Sequence, residues 1–484
     1  MVPEPERQPF AWRGVGAVCV VLAAVLGVTI NAYGYHRDEL YFRMLGAHPA
    51  WSYVDEPPLT PLLVHASTAI FGDSLWALRL PAIICGVLTV VIVALMCREL
   101  GGGTVAQVIA AIGACASFAL ASGHSMFTAS PDMVFWTLTI LFIVRALMRD
   151  DPRWWIAAGV TIGAALYNKQ LIALLVIGLA VGLLISGPRR AFRSPYLWIG
   201  ALLALVIASP TIVWQVTHHF PEVTMSRAIA RDKGSNDRIT FIPFQIVLVA
   251  PIWIAGLVAM FRREQWRPIR ALAWAYPVVA VIVIVTGGQI YYTYGLLTLY
   301  FAVACAGITR VRPRLVIGMA VFTAVWLAIA LPIIPVGSLG KTPIPAVNSS
   351  VGDAVGWPAY VREVAAAYHG LASTDRAGTV IITANYGEAG AIDKFGDAYG
   401  LPAVYSGHNQ LWYYGPPSGS ATSVLLVGFD EGDSAEHDFA SCTRVGKLDD
   451  NVGVDNQEQG EPIFFCTTPT ASWSQLWPSF QHYG

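Results

Sequence analysis

The sequence predicts a polytopic α-helical membrane protein of about eleven spans carrying a small C-terminal α/β domain, and three observations predict it. First, 55% of the 484 residues are hydrophobic and only 13% are charged, with mean hydropathy +0.55, whereas soluble proteins are about 25% charged. Second, apolar runs long enough for a bilayer, which takes about 20 residues per helix, recur near 12–31, 76–97, 104–122, 133–148, 154–168, 170–186, 196–215, 240–261, 271–287, 291–309 and 315–335. Third, the charge changes sign along the chain: residues 1–335 hold 24 Lys and Arg against 15 Asp and Glu, and residues 336–484 hold 6 against 16. That contrast sets a domain boundary between a membrane part, 1–335, and an extracytoplasmic tail, 336–484.

The first run follows an acidic, proline-containing start and ends in no small-residue cleavage site, so it reads as a retained helix and not a signal peptide. The loops with Arg98, Arg149 and Arg153, Arg189 to Arg193, Arg262 to Arg270, and Arg310 to Arg314 fall at every second crossing. The positive-inside rule assigns them and the N-terminus to the cytoplasm of a cell (inner) membrane protein. The segments 32–75 and 216–239 and the tail then lie outside. Basic residues scattered over many loops give no footprint for nucleic acid. The absence of an internal repeat weighs against a transporter built from paired halves. Tryptophans such as Trp51, Trp154, Trp155, Trp198, Trp214 and Trp266 fall near predicted interfaces, where aromatic belts anchor helices.

In the tail, 335–345 reads as a linker. The β-branched run 378–384 reads as a buried strand, 386–395 as the helix after it, 423–428 as a second strand, 435–439 as a short helix and 462–466 as a third strand, an alternation that suggests an α/β domain. Cys442 and Cys466 both fall in this extracytoplasmic part, where two such cysteines are expected to pair. The other five cysteines sit in or beside apolar runs as small buried side chains.

Chemistry concentrates directly after the first span. His36-Arg37-Asp38-Glu39 and Asp55-Glu56-Pro57-Pro58 place four carboxylates in one outer loop. A carboxylate beside a cleft can serve as general base toward a hydroxyl, and its neighbours can bind sugar hydroxyls. Hard cations favour carboxylate oxygens, so Glu39, Asp55 and Glu56, with His218, are candidate ligands of a divalent metal ion. Prolines 57 and 58 stiffen the turn that presents the second pair. Asp132 opens the run 133–147, where the helix dipole alone could account for it. Lys169 lies between two apolar runs, and a cation at mid-bilayer depth costs about 2.5–3.5 kcal/mol, which favours a function such as holding phosphate. Arg227, Arg231, Lys233 and Arg238 lie on the outer side against the charge trend, as cations meeting an anionic lipid headgroup would. In the tail, Asn385, Glu388, His408 and Asn409 could equally contact a polar acceptor or hydrogen-bond internally.

At these residues the chain resembles the polyprenyl-phosphate-dependent glycosyltransferases of the GT-C class, in particular family 39 and the aminoarabinose transferases. The likeness rests on Asp38-Glu39 in the first outer loop, Asp55-Glu56-Pro57 later in it, Asp132 opening a helix and Asn168-Lys169 ending another, and it covers about residues 10–335. It implies inverting transfer of a sugar from a polyprenyl-phosphate donor to a hydroxyl of a cell-envelope glycan, lipid or protein. Asp38 is then the base, Lys169 and the outer arginines steady the leaving phosphate, and His36, Arg37, Glu39, Asp55, Glu56 and Asp132 contact substrate. Tyr41 stands where the aminoarabinose transferases have an arginine, and Glu56 where they have a lysine. A transporter or flippase of lipid-linked sugars is the alternative, and it would spread ionisable groups through the spans instead of gathering them at the outer end.

Overall fold

A computed structural model describes residues 8–232, 234–308 and 310–484; Lys233 lies outside the described residues. The chain divides into two compact units, one of Met1–Ile30, Glu56–Thr60 and Arg79–Leu331, the other of Asn31–Asp55, Pro61–Leu78 and Pro332–Gly484.

The first unit is helical. Among the described residues six helices of the chain are long and apolar enough to cross a membrane: Trp12–Thr29, Leu75–Glu99, Ala129–Met148, Pro195–Thr217, Glu264–Thr286 and Pro313–Ala330. Two further pairs, Thr104–Cys115 with Phe118–His124 and Gly234–Leu248 with Trp253–Arg262, reach that length only as bent units, at 57° and 90°. The runs read at 154–168, 170–186 and 291–309 become the shorter helices Trp154–Ala165, Ile172–Ser186 and Tyr294–Ala306. Each of the eleven apolar runs is therefore helical, while six to eight meet the length of a full span. Shortened ends contribute to the difference: the turn at 166–171 takes residues from both the 154–168 and the 170–186 run and leaves helices of 12 and 15 residues.

Lipid tails are as apolar as leucine, so helices in a bilayer associate through close backbone approach at small residues. That is how this unit is built. A Cβ added at Gly159 would lie 2.0 Å from Gly200 O, one at Gly182 2.0 Å from Ala271 O, and one at Gly256 1.8 Å from Tyr300 O. These glycines bring the Trp154 helix onto the Pro195 helix, the Ile172 helix onto the Arg270–Thr286 helix, and the Trp253 helix onto the Tyr294 helix. Some buried polar groups bond to backbone carbonyls of neighbouring helices: Tyr300 donates to Leu272 O at 2.8 Å and Trp326 Nε1 to Val247 O at 2.8 Å. Large apolar side chains such as Val28, Ile239 and Val285 stay outward and open, as expected where hydrocarbon and not water is the solvent.

The second unit joins the loop after the first span to the tail. Its sheet has the order β2-β1-β3-β5-β4, with β1 (Thr379–Thr383) parallel to β2 (Val404–Ser406) and β3 (Ser423–Val427), and β5 (Pro462–Pro469) antiparallel to β3 and β4 (Phe439–Lys447). β1 and β3 are buried nearly throughout, which suits their apolar, β-branched sequences. Cys442 and Cys466 face each other across β4 and β5 and form a disulfide. The segment read as a linker at 335–345 contains two single-turn helices, Val336–Leu339 and Ile344–Val347, and Leu339 packs with Val351, Val355 and Val454.

The loop 32–75 is also more ordered than its charge suggests. It carries the helices Arg37–Ala47 and Leu59–Phe71. The first lies along Tyr386–Phe395, close enough that a Cβ on Gly390 would meet Leu40 Cβ at 2.7 Å. Arg43 and Lys394 grip Asp73 at 2.7 and 2.8 Å, and Arg43 also pairs with Asp393. The segment 216–239, read as a loop, is helical as well, as Pro221–Asp232 and the start of Gly234–Leu248.

Candidate functional site

Two groups of the candidate residues assemble, one in each unit. In the second unit His36 caps the helix Arg37–Ala47: its Nδ1 accepts from Asp38 N at 3.1 Å, and Glu39 Oε2 reaches back to His36 N at 2.8 Å, a capping box. This box uses two of the expected substrate contacts. Glu39 is wholly buried, and its local role is structural. Asp38 sits in the same first turn, where the helix dipole favours a carboxylate, and its side chain keeps 32% exposure. One oxygen, Oδ1, accepts from the Tyr386 hydroxyl at 2.9 Å; Oδ2 lies 3.8 Å from His36 Nδ1.

Arg37 turns into the tail. Its guanidinium lies 4.8 Å from the Tyr386 ring centroid and donates to Gln457. Burial works against its charge, but Tyr386, Glu458, Asp38 and Asp353 together hold its pKa above the usual range. Those partners account for Arg37 without a phosphate.

Asp55 closes the other side of this group. Its carboxyl interacts with the Tyr41 hydroxyl and the Asn409 side chain. Burial pushes its pKa up to about 6, against those two hydrogen bonds and with Asp38 adding to the rise. The two carboxyls differ in exposure: Asp38 keeps a third of its side chain open, whereas burial dominates at Asp55. The wall opposite is tail: Gln410 N donates to the Tyr41 hydroxyl at 3.1 Å and Gln410 Oε1 accepts from Val54 N at 3.1 Å. Asn409 holds φ at 50°, a left-handed conformation that asparagine tolerates better than most residues, and its Oδ1 is buried with no hydrogen-bond partner among the described residues.

In the first unit, Asp132 and Lys169 come together. Lys169 Nζ donates to Thr128 Oγ1 at 3.3 Å and to the Tyr291 hydroxyl at 3.2 Å, and stands 5.4 and 5.3 Å from the Tyr291 and Tyr292 ring centroids. The turn that presents it is fixed by Asn168, whose side chain accepts from Thr60 Oγ1 and donates to Thr128 O, each at 2.8 Å. The Lys169 charge attracts Asp132. Asp132 lines a cavity of about 10 Å³, room for a single water, with Met133, Trp136, Tyr291, Tyr292 and Tyr294. Asp132 Oδ1 and Trp136 Nε1 are buried with no hydrogen-bond partner among the described residues. Glu56, predicted as a wall beside Asp55, is buried in this unit.

Other candidates stand apart from both groups. Arg227 and Arg231 are exposed on the helix Pro221–Asp232. Arg238 caps the C-terminus of Arg270–Thr286 by donating to Ile284 O and Val285 O. His218 is stacked on Trp214 at 4.0 Å and bonded to Trp214 O. Among the described residues no three His, Cys, Asp or Glu side chains gather around one point fit for a metal ion, so Glu39, Asp55, Glu56 and His218 do not form the ligand set expected of them. In the tail, Asn385 and Glu388 form a second capping box, at the start of Tyr386–Phe395. His408 accepts from Tyr386 N and is bonded to Gly484 O, and burial, with His482 and Arg37, lowers its pKa to about 3. Sequence reasoning passed over Tyr41, Gln410 and Tyr386 in one unit and Trp136, Tyr291 and Tyr292 in the other. All are neutral, and in a chain with 19 tyrosines and 16 tryptophans nothing local marks them out.

The comparisons with known proteins liken this multi-pass helical fold to that of the GT-C glycosyltransferases. The sequence model of the dolichyl-phosphate-mannose-protein mannosyltransferase family matches residues 55–214. YkcB of Bacillus subtilis (strain 168), described provisionally as a mannosyltransferase, is 24% identical over 161 residues, which is 33% of this chain and 22% of that protein. The chain therefore matches about a fifth of that relative's length. Among solved structures, ArnT from Cupriavidus metallidurans superposes with a TM-score of 0.59 both bound to undecaprenyl phosphate and in its apo state, at 16% and 15% identity, over 94% of this chain and 98% of that one. At such identity the likeness concerns the fold.

Proposed function

We propose that this protein is a membrane glycosyltransferase that takes a sugar from a polyprenyl-phosphate donor and joins it, with inversion, to a hydroxyl of a cell-envelope acceptor on the outer face. The observation that carries the proposal is Asp38: a carboxylate held at a helix start, one oxygen engaged by Tyr386 and the side chain a third open to a ligand. The family match and the ArnT fold support it.

In this reading Asp38 takes the proton of the acceptor hydroxyl while that oxygen attacks C1 of the sugar. The C1–O bond to the phosphate breaks, and the polyprenyl phosphate leaves with the electron pair. Attack from the face opposite the leaving group inverts C1. Lys169, seated on tyrosines, offers a cation for the phosphate, and exposed Arg227 and Arg231 offer charge to the lipid headgroup. Asp55, whose pKa burial raises above the usual carboxylate range, can exchange hydrogen bonds with sugar hydroxyls.

The test is release of undecaprenyl phosphate from a panel of polyprenyl-phosphate sugars, mannose and aminoarabinose included, by the full chain in vesicles with envelope extract as acceptor. Asp38→Asn should lower turnover at least 10²-fold, the contribution of a general base, and leave donor binding intact. Retained turnover would remove Asp38 from the role. Passage of labelled donor across the vesicle with no acceptor modified would favour a flippase instead.

A further inference from the structure

The hydrogen bond on Asp38 comes from the tail, and its surroundings give it more structure than a chance contact has. Tyr386 is the first residue of its helix, following the N-cap Asn385. Its ring is stacked on Tyr41 at 4.6 Å and on His408 at 4.8 Å, and His408 is stacked in turn on His482 at 4.7 Å. Its backbone N–H donates to His408 Nδ1 at 3.2 Å. Burial raises the phenol's pKa well above its ordinary value, so the hydroxyl is a donor at every physiological pH. The ring is thus fixed by neighbours on the same unit, and only its oxygen is left to act on Asp38.

We infer that Tyr386 is a positioning residue of the transfer reaction, its hydroxyl fixing Asp38 Oδ1 so that Oδ2 is the oxygen that accepts the acceptor's proton. The inference rests on the reading of Asp38 as base. A carboxylate in the first turn of a helix and a third exposed has several rotamers open to it, and a general base works only when its oxygen is within hydrogen-bond reach of the reacting hydroxyl. A donor on one oxygen selects the rotamer before substrate arrives. The supporting packing is tight: a Cβ on Gly387 would meet Arg37 Cβ at 2.9 Å and Trp357 at 2.8 Å, so the two helices that carry Tyr386 and Asp38 cannot slide freely past each other. Arg37, one residue before Asp38, lies over the same phenol ring.

Tyr386→Phe removes the hydroxyl and keeps the stacked rings. In the full chain, with the donor panel above, the expected result is a fall in kcat of about 10- to 100-fold, the cost of a misplaced catalytic group, with KM for the donor within twofold of wild type and thermal stability unchanged. Tyr386→Leu, which also empties the stack, should lower thermal stability besides kcat. Wild-type kcat in Tyr386→Phe alongside an inactive Asp38→Asn overturns the positioning role and leaves the base in place. A kcat loss in Tyr386→Phe matched by lost stability or a risen KM overturns it as well, because packing or binding would then account for the residue. Full turnover in Asp38→Asn removes the reading on which the inference stands.

Discussion

Replacing Glu458 by glutamine should flatten the pH dependence of stability between pH 4.5 and 7. Glu458 is fully buried, with Oε2 unpartnered among the described residues and Oε1 a long 3.5 Å from Asn385 Nδ2. Burial pushes its pKa from 4.5 to about 7; Arg37 pulls against that rise, and Asp353 adds to it. Its neighbour Glu388 is also buried, and its pKa is raised well above the ordinary value by burial and by Glu458. A carboxyl with a raised pKa in the folded state keeps its proton while the unfolded chain has already lost its own. Its contribution to stability is therefore complete below pH 4.5 and is lost as pH climbs through 7. At about 1.36 kcal/mol for each unit of pKa, the loss at Glu458 is about 3 kcal/mol. For a unit of this size that is roughly 6–12 °C in melting temperature. Thermal denaturation of the full chain in detergent, followed by tryptophan fluorescence at pH 5 and pH 7.5, measures it. Wild type should melt lower at pH 7.5, and Glu458→Gln should show much less of that difference. An equal drop in both proteins would refute the argument, because a neutral amide has no proton to lose.

Two further outcomes follow from the first unit. Lys169→Met should raise the KM for a polyprenyl-phosphate donor about 10- to 100-fold, the worth of one charge-assisted hydrogen bond to phosphate, and titration with undecaprenyl phosphate should show the same weakening. Gly256→Val should cut the yield of folded, detergent-extracted protein several-fold, because the first added carbon falls 1.8 Å from Tyr300 O; size-exclusion chromatography of the extract reads the result.

The membrane helices were legible because a bilayer demands long apolar runs, and each run is helical. The lengths of the helices were less so. The turn at 166–171 joins two apolar stretches with no proline or glycine in it, and it is held by tertiary bonds such as Leu59 N to Tyr167 O at 2.8 Å. Buried β1 and β3 announced themselves through unbroken β-branched and aliphatic sequence. β4 did not, because it is a mostly exposed edge strand of mixed polarity and no buried face imposes a pattern on it. The acidic residues drew notice as charges, but charge alone does not separate a reactive carboxylate from a capping one. Asp38 and Glu39 are adjacent, yet one closes a capping box in the interior and the other stays open beside Tyr386. That distinction depends on the tail, far along the chain.

The hydrogen bond from Tyr386 to Asp38 spans 348 residues, which has a consequence in time. At about 5–20 residues per second of synthesis, the acidic loop is made on the order of 20–70 s before the phenol that completes it. Throughout that interval Asp38 lacks the hydroxyl that holds its Oδ1. A ribosome that stops early, or a protease that removes the tail from a nascent chain, leaves behind a membrane bundle whose carboxylate has no partner to aim it. The orientation of Asp38 is thus set by sequence that the ribosome reaches only after every membrane helix has been made.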